Sequence, residues 1–183
     1  MPETAGAHYL RDALAQFRKY KRMADAAIAQ VSDEDFFRAP DPESNSVALV
    51  MKHVAGNMRS RWRDFPGSDG EKTDRNRDAE FEHETADSRE SLTARWEEGW
   101  ALLFRALEPI REEDLFRKVP IRGESHTVLE AMQRQLTHYA YHVGQIVYVA
   151  KHYAGARWKS LSIPKGRSRD FDVAKSGQPY TLR

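Results

Sequence analysis

The feature that most constrains this chain is a run of about seven helical turns, Thr127 through Ala154, in which apolar residues return at three- and four-residue intervals. A helix of that length must bury a face along most of a small domain, so elements of comparable length have to cover it. Three other stretches have the same period. The first, His8 to Gln30, repeats Leu10, Leu14, Phe17, Ala24, Ile28 and Val31, stops at Ser32-Asp33-Glu34, and gives way to a loop with Pro40 and Pro42. The second, Val47 to Phe65, follows the capping residues Ser44-Asn45-Ser46. It carries an apolar stripe (Val47, Met51, Val54, Met58, Trp62, Phe65) and a second line (Leu49, His53, Asn57, Ser60, Asp64) that starts apolar and turns polar. Apolar area on two sides of one helix predicts that one side meets the core and the other a partner subunit.

The third helix opens at Asp87-Ser88-Arg89-Glu90, which reads as a capping box, and carries Leu92, Trp96, Gly99, Leu103 and Leu107 to a stop at Pro109. Between the second and third helices, residues 66–86 are charged, contain glycine and have no sustained period. A connection of that length permits two successive helices to run parallel. Lys118 to His126 reads as an extended turn or small hairpin about Gly123, and Thr127 with Glu130 as the capping box of the last helix. The expected class is all-α, a four-helix bundle over residues 1–156 with a long crossover between helices 2 and 3. Residues 157–183 form an irregular tail anchored at Trp158, Leu161, Ile163 and Phe171.

Composition removes several functions. Of the 183 residues, 40% are hydrophobic and 31% charged, with a formal net charge of +1, which fits neither a disordered polyelectrolyte nor a nucleic-acid binder. The cationic segment from Arg157 to Arg169 is offset at once by Asp170 and Asp172. No run approaches the roughly 20 apolar residues of a membrane span, and the N-terminus lacks a signal peptide's pattern, so the expected location is cytoplasmic, without membrane contact. Zero cysteines exclude disulfides, thiolate catalysis, zinc fingers and iron–sulfur clusters, leaving His, Asp and Glu to hold any transition metal.

Residues four apart on a helix lie one above the other, so His138 and His142 of HYAYH can present two imidazoles to one point. Ala131, Gln135, Ile146, Val149 and Tyr153 lie near them in helical angle, and Gln133, Gly144 and Lys151 lie opposite, which places the histidines on the buried face. Two buried imidazoles are costly unless each finds a partner, and a shared cation satisfies both. Such a pair also arises by chance and serves as ordinary hydrogen-bonding residues; His53, on another helix across the crossover, adds a third ligand if the bundle brings it opposite. Three neutral imidazoles leave coordination positions open for water or substrate. His8, His83, His126 and His152 fall in a terminus, a charged loop, before a cap, and off the angle of the pair.

At His53 within MKHVAGNMRSRW, at DGEKTDRNRDAEFE and at HYAYHVGQI, where Gly144-Gln145 follow the pair, the chain resembles the DinB/YfiT-like superfamily. The resemblance spans the first helix to the tail segment SLSIPKGRS. It implies an up-down-down-up four-helix bundle, a homodimer, and a site for a divalent metal ion on His53, His138 and His142: zinc or nickel first, with manganese or iron as alternatives. Asn57, Arg61, Gln135 and Tyr139 would line the pocket or back the ligands.

Some members of that superfamily resemble metal-dependent transferases that use a low-molecular-weight thiol such as bacillithiol or mycothiol, or thiol-dependent isomerases. A metal lowers the pKa of a thiol, so the nucleophile would come from the cosubstrate and the lack of protein cysteine is no obstacle. Arg59, Arg61, Arg63, Arg75 and Arg77 are candidate anchors for an acidic thiol or small-molecule substrate, with Arg61 nearest the His53 line. A metal-dependent hydrolase is the alternative, weakened because residues 139–141 are Tyr-Ala-Tyr and supply no HExxH-type glutamate, although Tyr139 or Tyr141 could act as an acid. A third reading is a stress-associated metal-binding dimer without turnover.

Overall fold

The structure is a computed structural model that describes residues 2–171. Those residues are mostly helical, with five α-helices and one two-stranded antiparallel hairpin. Helix α1 (Ala5–Ile28) starts one turn earlier than its apolar repeat, because the Thr4 hydroxyl accepts a hydrogen bond from the Ala7 amide and caps it. Its buried face is Leu10, Ala13, Phe17, Ala24, Ala27 and Ile28.

Ser32-Asp33-Glu34 is not only a stop. Ser32 caps a short second helix, α2 (Asp33–Phe37), whose acidic first turn suits a helix N-terminus and whose Phe36 is fully buried. Helix α3 (Val47–Trp62) begins at the Ser46 cap and ends at Trp62, three residues before the expected Phe65. The chain turns away at Asp64, where φ is 58°, and Phe65 packs on Trp62 from the loop at a centroid distance of 5.0 Å.

Helix α4 (Arg89–Leu107) uses Ser88 and Ser91 as its reciprocal cap, not Asp87 and Glu90. Asp87 instead accepts from Lys52 Nζ at 2.8 Å. Strands β1 (Lys118–Ile121) and β2 (Glu124–Thr127) pair antiparallel in the predicted segment, joined by Arg122-Gly123, both at positive φ as a two-residue hairpin turn requires. Helix α5 (Val128–Ala154) opens with the predicted Thr127–Glu130 capping box.

Helix α3 packs chiefly on α4, and α1 chiefly on α5, with α3 also against α5. Phe17, Met58, Trp62, Trp96, Trp100 and Tyr139 are among the largest buried side chains of the common core. Gly99 permits the close approach of α3 and α4, since a Cβ there would fall 3.1 Å from Met58 Cβ. The second line of α3 meets this chain's own crossover at Ser60, whose Oγ donates to Gly70 O and accepts from the Lys72 amide.

Trp158 and Leu161 pack half-buried against the core, and Ile163 is half-buried. Residues 172–183 and the anchor expected of the Phe171 side chain lie outside the described residues. Among the described residues no helix is long and apolar enough to cross a membrane.

Candidate metal centre

Helix α3 contributes His53 and helix α5 contributes His138 and His142, and one nitrogen from each falls within 4.8 Å of the other two. The converging atoms are defined by what the rings do at their far sides. His53 Nδ1 donates to Glu80 Oε2 at 2.9 Å, and His142 Nδ1 donates to Gln145 Oε1 at 2.8 Å. In the neutral rings this leaves Nε2 of both with bare lone pairs. They face His138 Nε2, at 3.4 Å from His53 Nε2 and 3.1 Å from His142 Nε2.

Lone pairs gathered in this way repel unless a proton or a cation lies between them. Nitrogens bound to tetrahedral zinc at about 2.0–2.1 Å sit about 3.3 Å apart, close to the two separations that His138 Nε2 makes. Burial, followed by the nearby His142 and His53, pulls His138 down to about 3; burial also pulls His142 down to about 4 against the hydrogen bond to Gln145. Both rings are therefore neutral near pH 7, the form a metal requires. The three histidines could hold a metal ion.

The crossover supplies the backing. A 3₁₀ turn, Asp78–Phe81, buries Glu80 against α3 and stacks Phe81 on the His53 ring at 4.5 Å. Arg75 grips Glu80 through two bonds, Nε to Oε1 and Nη2 to Oε2, each 2.8 Å. Burial pushes the Glu80 carboxyl up, but the bonds from Arg75 and His53 outweigh it and hold it below the usual carboxylate range. A histidine whose second nitrogen is fixed by a carboxylate is the common support of a metal ligand. Gly56 makes room for it, since a Cβ there would fall 2.2 Å from Glu80 Oε1.

The histidines stand in a cavity of about 780 Å³. Asn57, Arg61 and Gln135 lie on its wall, as does Tyr141 at the exposed rim. Tyr139 is not on the wall: it is fully buried, accepts from Trp62 Nε1 at 3.0 Å and donates to Asn57 Oδ1 at 3.0 Å. Burial pushes its phenol well above the ordinary value, so Tyr139 supports Asn57 and is a poor acid. Asp64 is exposed beyond the end of α3 and does not line the cavity.

Of the five arginines considered as anchors, Arg61, Arg75 and Arg77 line the cavity, whereas Arg63 pairs with Asp74 at 2.7 Å and Arg59 faces the same carboxylate at 3.8 Å. Glu80, Gln145, Arg122 and Arg134 belong to the site and are not among the expected site residues. Gln145 had a signal, in the motif after the histidine pair and three residues from His142 on one helical face. Glu80 lies within the charged segment that carries the resemblance, but a crossover without a period does not single it out.

No curated protein and no solved structure matches this chain. A family model matches residues 4–167, which span both helices of the histidine site, the crossover and the hairpin. The chain therefore belongs to the family described as "protein of unknown function", DUF1572.

Proposed function

We propose that the chain is a metal-dependent enzyme of the DinB/YfiT-like kind, a transferase in which a low-molecular-weight thiol is the nucleophile. The observation that carries this reading is the convergence of three imidazole Nε2 atoms in an open cavity. A divalent ion held by His53, His138 and His142 would lower the pKa of a thiol and so keep it reactive at neutral pH. The protein's own contribution is orientation: Glu80 and Gln145 fix two of the rings, Arg75 fixes Glu80, and Phe81 covers the face of His53. The arginines on the wall draw a negatively charged reactant toward the histidines.

Hydrolysis by the same site would call for a free general base. The buried carboxylate nearest the histidines, Glu80, is already committed to His53 and Arg75 on both oxygens, and the cavity wall carries no Asp or Glu among the described residues. This favours transfer over hydrolysis.

The fold part of the proposal is an up-down-down-up bundle of α1, α3, α4 and α5. Lys52 beside Asp87 and Met58 beside Gly99 support a parallel α3 and α4; Tyr9 beside Leu129 and Gln30 beside Lys159 support a parallel α1 and α5. The reading also includes a homodimer, checked by light scattering.

The test of the chemistry is a titration of the cobalt-loaded protein with bacillithiol and mycothiol, followed by near-ultraviolet absorption. Saturable new absorption, lost in His138→Ala, is the expected result. Cobalt that stays bound and responds to neither thiol would remove the transferase reading.

A further inference from the structure

Five guanidinium groups, those of Arg61, Arg75, Arg77, Arg122 and Arg134, line the cavity that holds the three histidines. They are not equally satisfied. Arg75 is held by Glu80 at 2.8 Å and by Glu71 at 3.3 Å; Arg122 meets Glu71 at 3.3 Å; and Arg61 reaches only that same Glu71, at 3.9 Å. Among the described residues these are the ion pairs that the wall arginines make, so Arg77 and Arg134 face the cavity without a carboxylate partner, and Arg77 lies over the Phe81 ring.

Arg61 is the telling member. Its side chain is only 4% exposed, and its Nε and Nη1 are buried with no hydrogen-bond partner. Gly70 makes room for it, since a Cβ there would fall 2.4 Å from Arg61 Nη1. A buried cation with unmet donors is costly. Arg122 is fixed over the same cavity by backbone means. Asp69 accepts from the amides of Arg122 and Gly123 at 2.9 and 2.8 Å, and holds the hairpin turn in its positive-φ form.

We infer that this cavity is an anion-binding site for a small molecule carrying a carboxylate or phosphate group, with Arg61 as the buried anchor and Arg134 and Arg122 engaging it from the rim. Guanidinium groups match both anions in a two-point geometry, and Arg61, buried in the cavity wall with its nearest carboxylate 3.9 Å away, brings there a positive charge that the fold offsets only weakly. The inference rests on the metal-site reading for where the reacting end of such a molecule lies, beside the histidines; the anion site itself stands on the arginines alone.

The experiment is calorimetric titration of zinc-loaded and of metal-free full-length protein with succinate and with methyl phosphate at matched ionic strength, with bound metal measured on each sample. Saturable binding to both forms is expected for at least one of the two anions, and which one responds assigns the group. Arg61→Met should weaken that binding about tenfold or more while leaving zinc content unchanged. Arg134 is exposed on α5, so Arg134→Gln tests the same point without disturbing buried groups and should also weaken binding. Wild type that takes up no zinc yet binds the anion through Arg61 would sink the metal reading and leave this one standing. Zinc-loaded protein that binds neither anion, or binds one equally well after both substitutions, would overturn it.

Discussion

Helix α3 buries two cations almost equally, Lys52 and Arg61, with side chains 6% and 4% exposed, and surrounds them in opposite ways. Lys52 Nζ bonds to Asp87 Oδ2 and to Glu82 O, both at 2.8 Å, and has Glu84 at 3.3 Å. Arg61 has two unpartnered nitrogens and a single distant carboxylate. The fold is therefore able to neutralise a buried cation from this helix, and does so where the crossover meets α4. On the side that faces the histidines the charge in the cavity wall has only Glu71, at 3.9 Å, to offset it. Burial alone does not separate a structural charge from a functional one; the state of its partners does.

The sharpest break of this comparison is stability. Asp87→Ala removes the closest carboxylate of Lys52, leaving it Glu82 O and Glu84, and should destabilise the protein by about 1–3 kcal/mol, the cost of losing a charged hydrogen bond in a buried place. Arg61→Met removes a charge whose donors are unmet, so its denaturation midpoint should hold or rise. Equal destabilisation of the two variants in urea would show that the surroundings of the two cations do not differ in kind.

Next in size is the support of the ligands. Glu80→Gln keeps the shape beside His53 but loses the charge that binds both His53 and Arg75, and should lower zinc affinity about 10- to 100-fold in a chelator competition. An unchanged affinity would reduce Glu80 to a loop anchor.

A smaller effect is expected with pH in the metal-free protein. The folded-state values of His138 and His142 lie below the ordinary 6.5, at about 3 and about 4, so as pH falls below 6.5 the unfolded chain takes up protons that the folded one refuses. Stability conferred by these neutral histidines is complete above that value and is lost as pH falls toward the folded-state values. Denaturation curves between pH 7 and 5, above the carboxylate range, should show the decline, and His138→Gln with His142→Gln should flatten it. Identical pH slopes in the two proteins would contradict the burial argument.

The smallest expected change in stability is at Gly56. Alanine in a helix interior gains about 1 kcal/mol over glycine, but here the new Cβ displaces the Glu80 carboxylate, and the two effects oppose each other. Gly56→Ala should leave the melting temperature nearly unchanged while weakening zinc binding. A clean stabilisation with full zinc affinity would show that Glu80 is free to move.

What the sequence made legible follows from which constraints are local. The long helices, the Ser46 and Thr127 caps, the hairpin about Gly123 and the pairing of His138 with His142 rest on period, capping chemistry and i,i+4 spacing, whereas His53 is expected beside them only from bundle topology and the family resemblance. Helix α2 was hidden because Ser32 both ends one apolar repeat and caps the next turn. Glu80, Arg122 and Arg134 were hidden because their roles come from tertiary placement. The crossover lays Glu80 on α3, the hairpin turn carries Arg122 over the cavity, and Arg134 is one of many charged residues on α5 until the cavity is seen. The second line of α3 is buried from Leu49 to Ser60, and the crossover that covers part of it could not be read from the sequence, since a loop without a period can still cover a helix face.

The most direct test of the metal-site account is elemental analysis of protein purified without a chelating tag, as wild type and as His53→Ala, His138→Ala and His142→Ala. The account predicts close to one divalent ion per chain in wild type, or after exposure to zinc or nickel, and its loss in all three variants with the helical content retained. Wild type that stays metal-free in the presence of zinc, nickel, manganese and iron would contradict it, leaving the three imidazoles as a hydrogen-bonded cluster in the wall of an anion site.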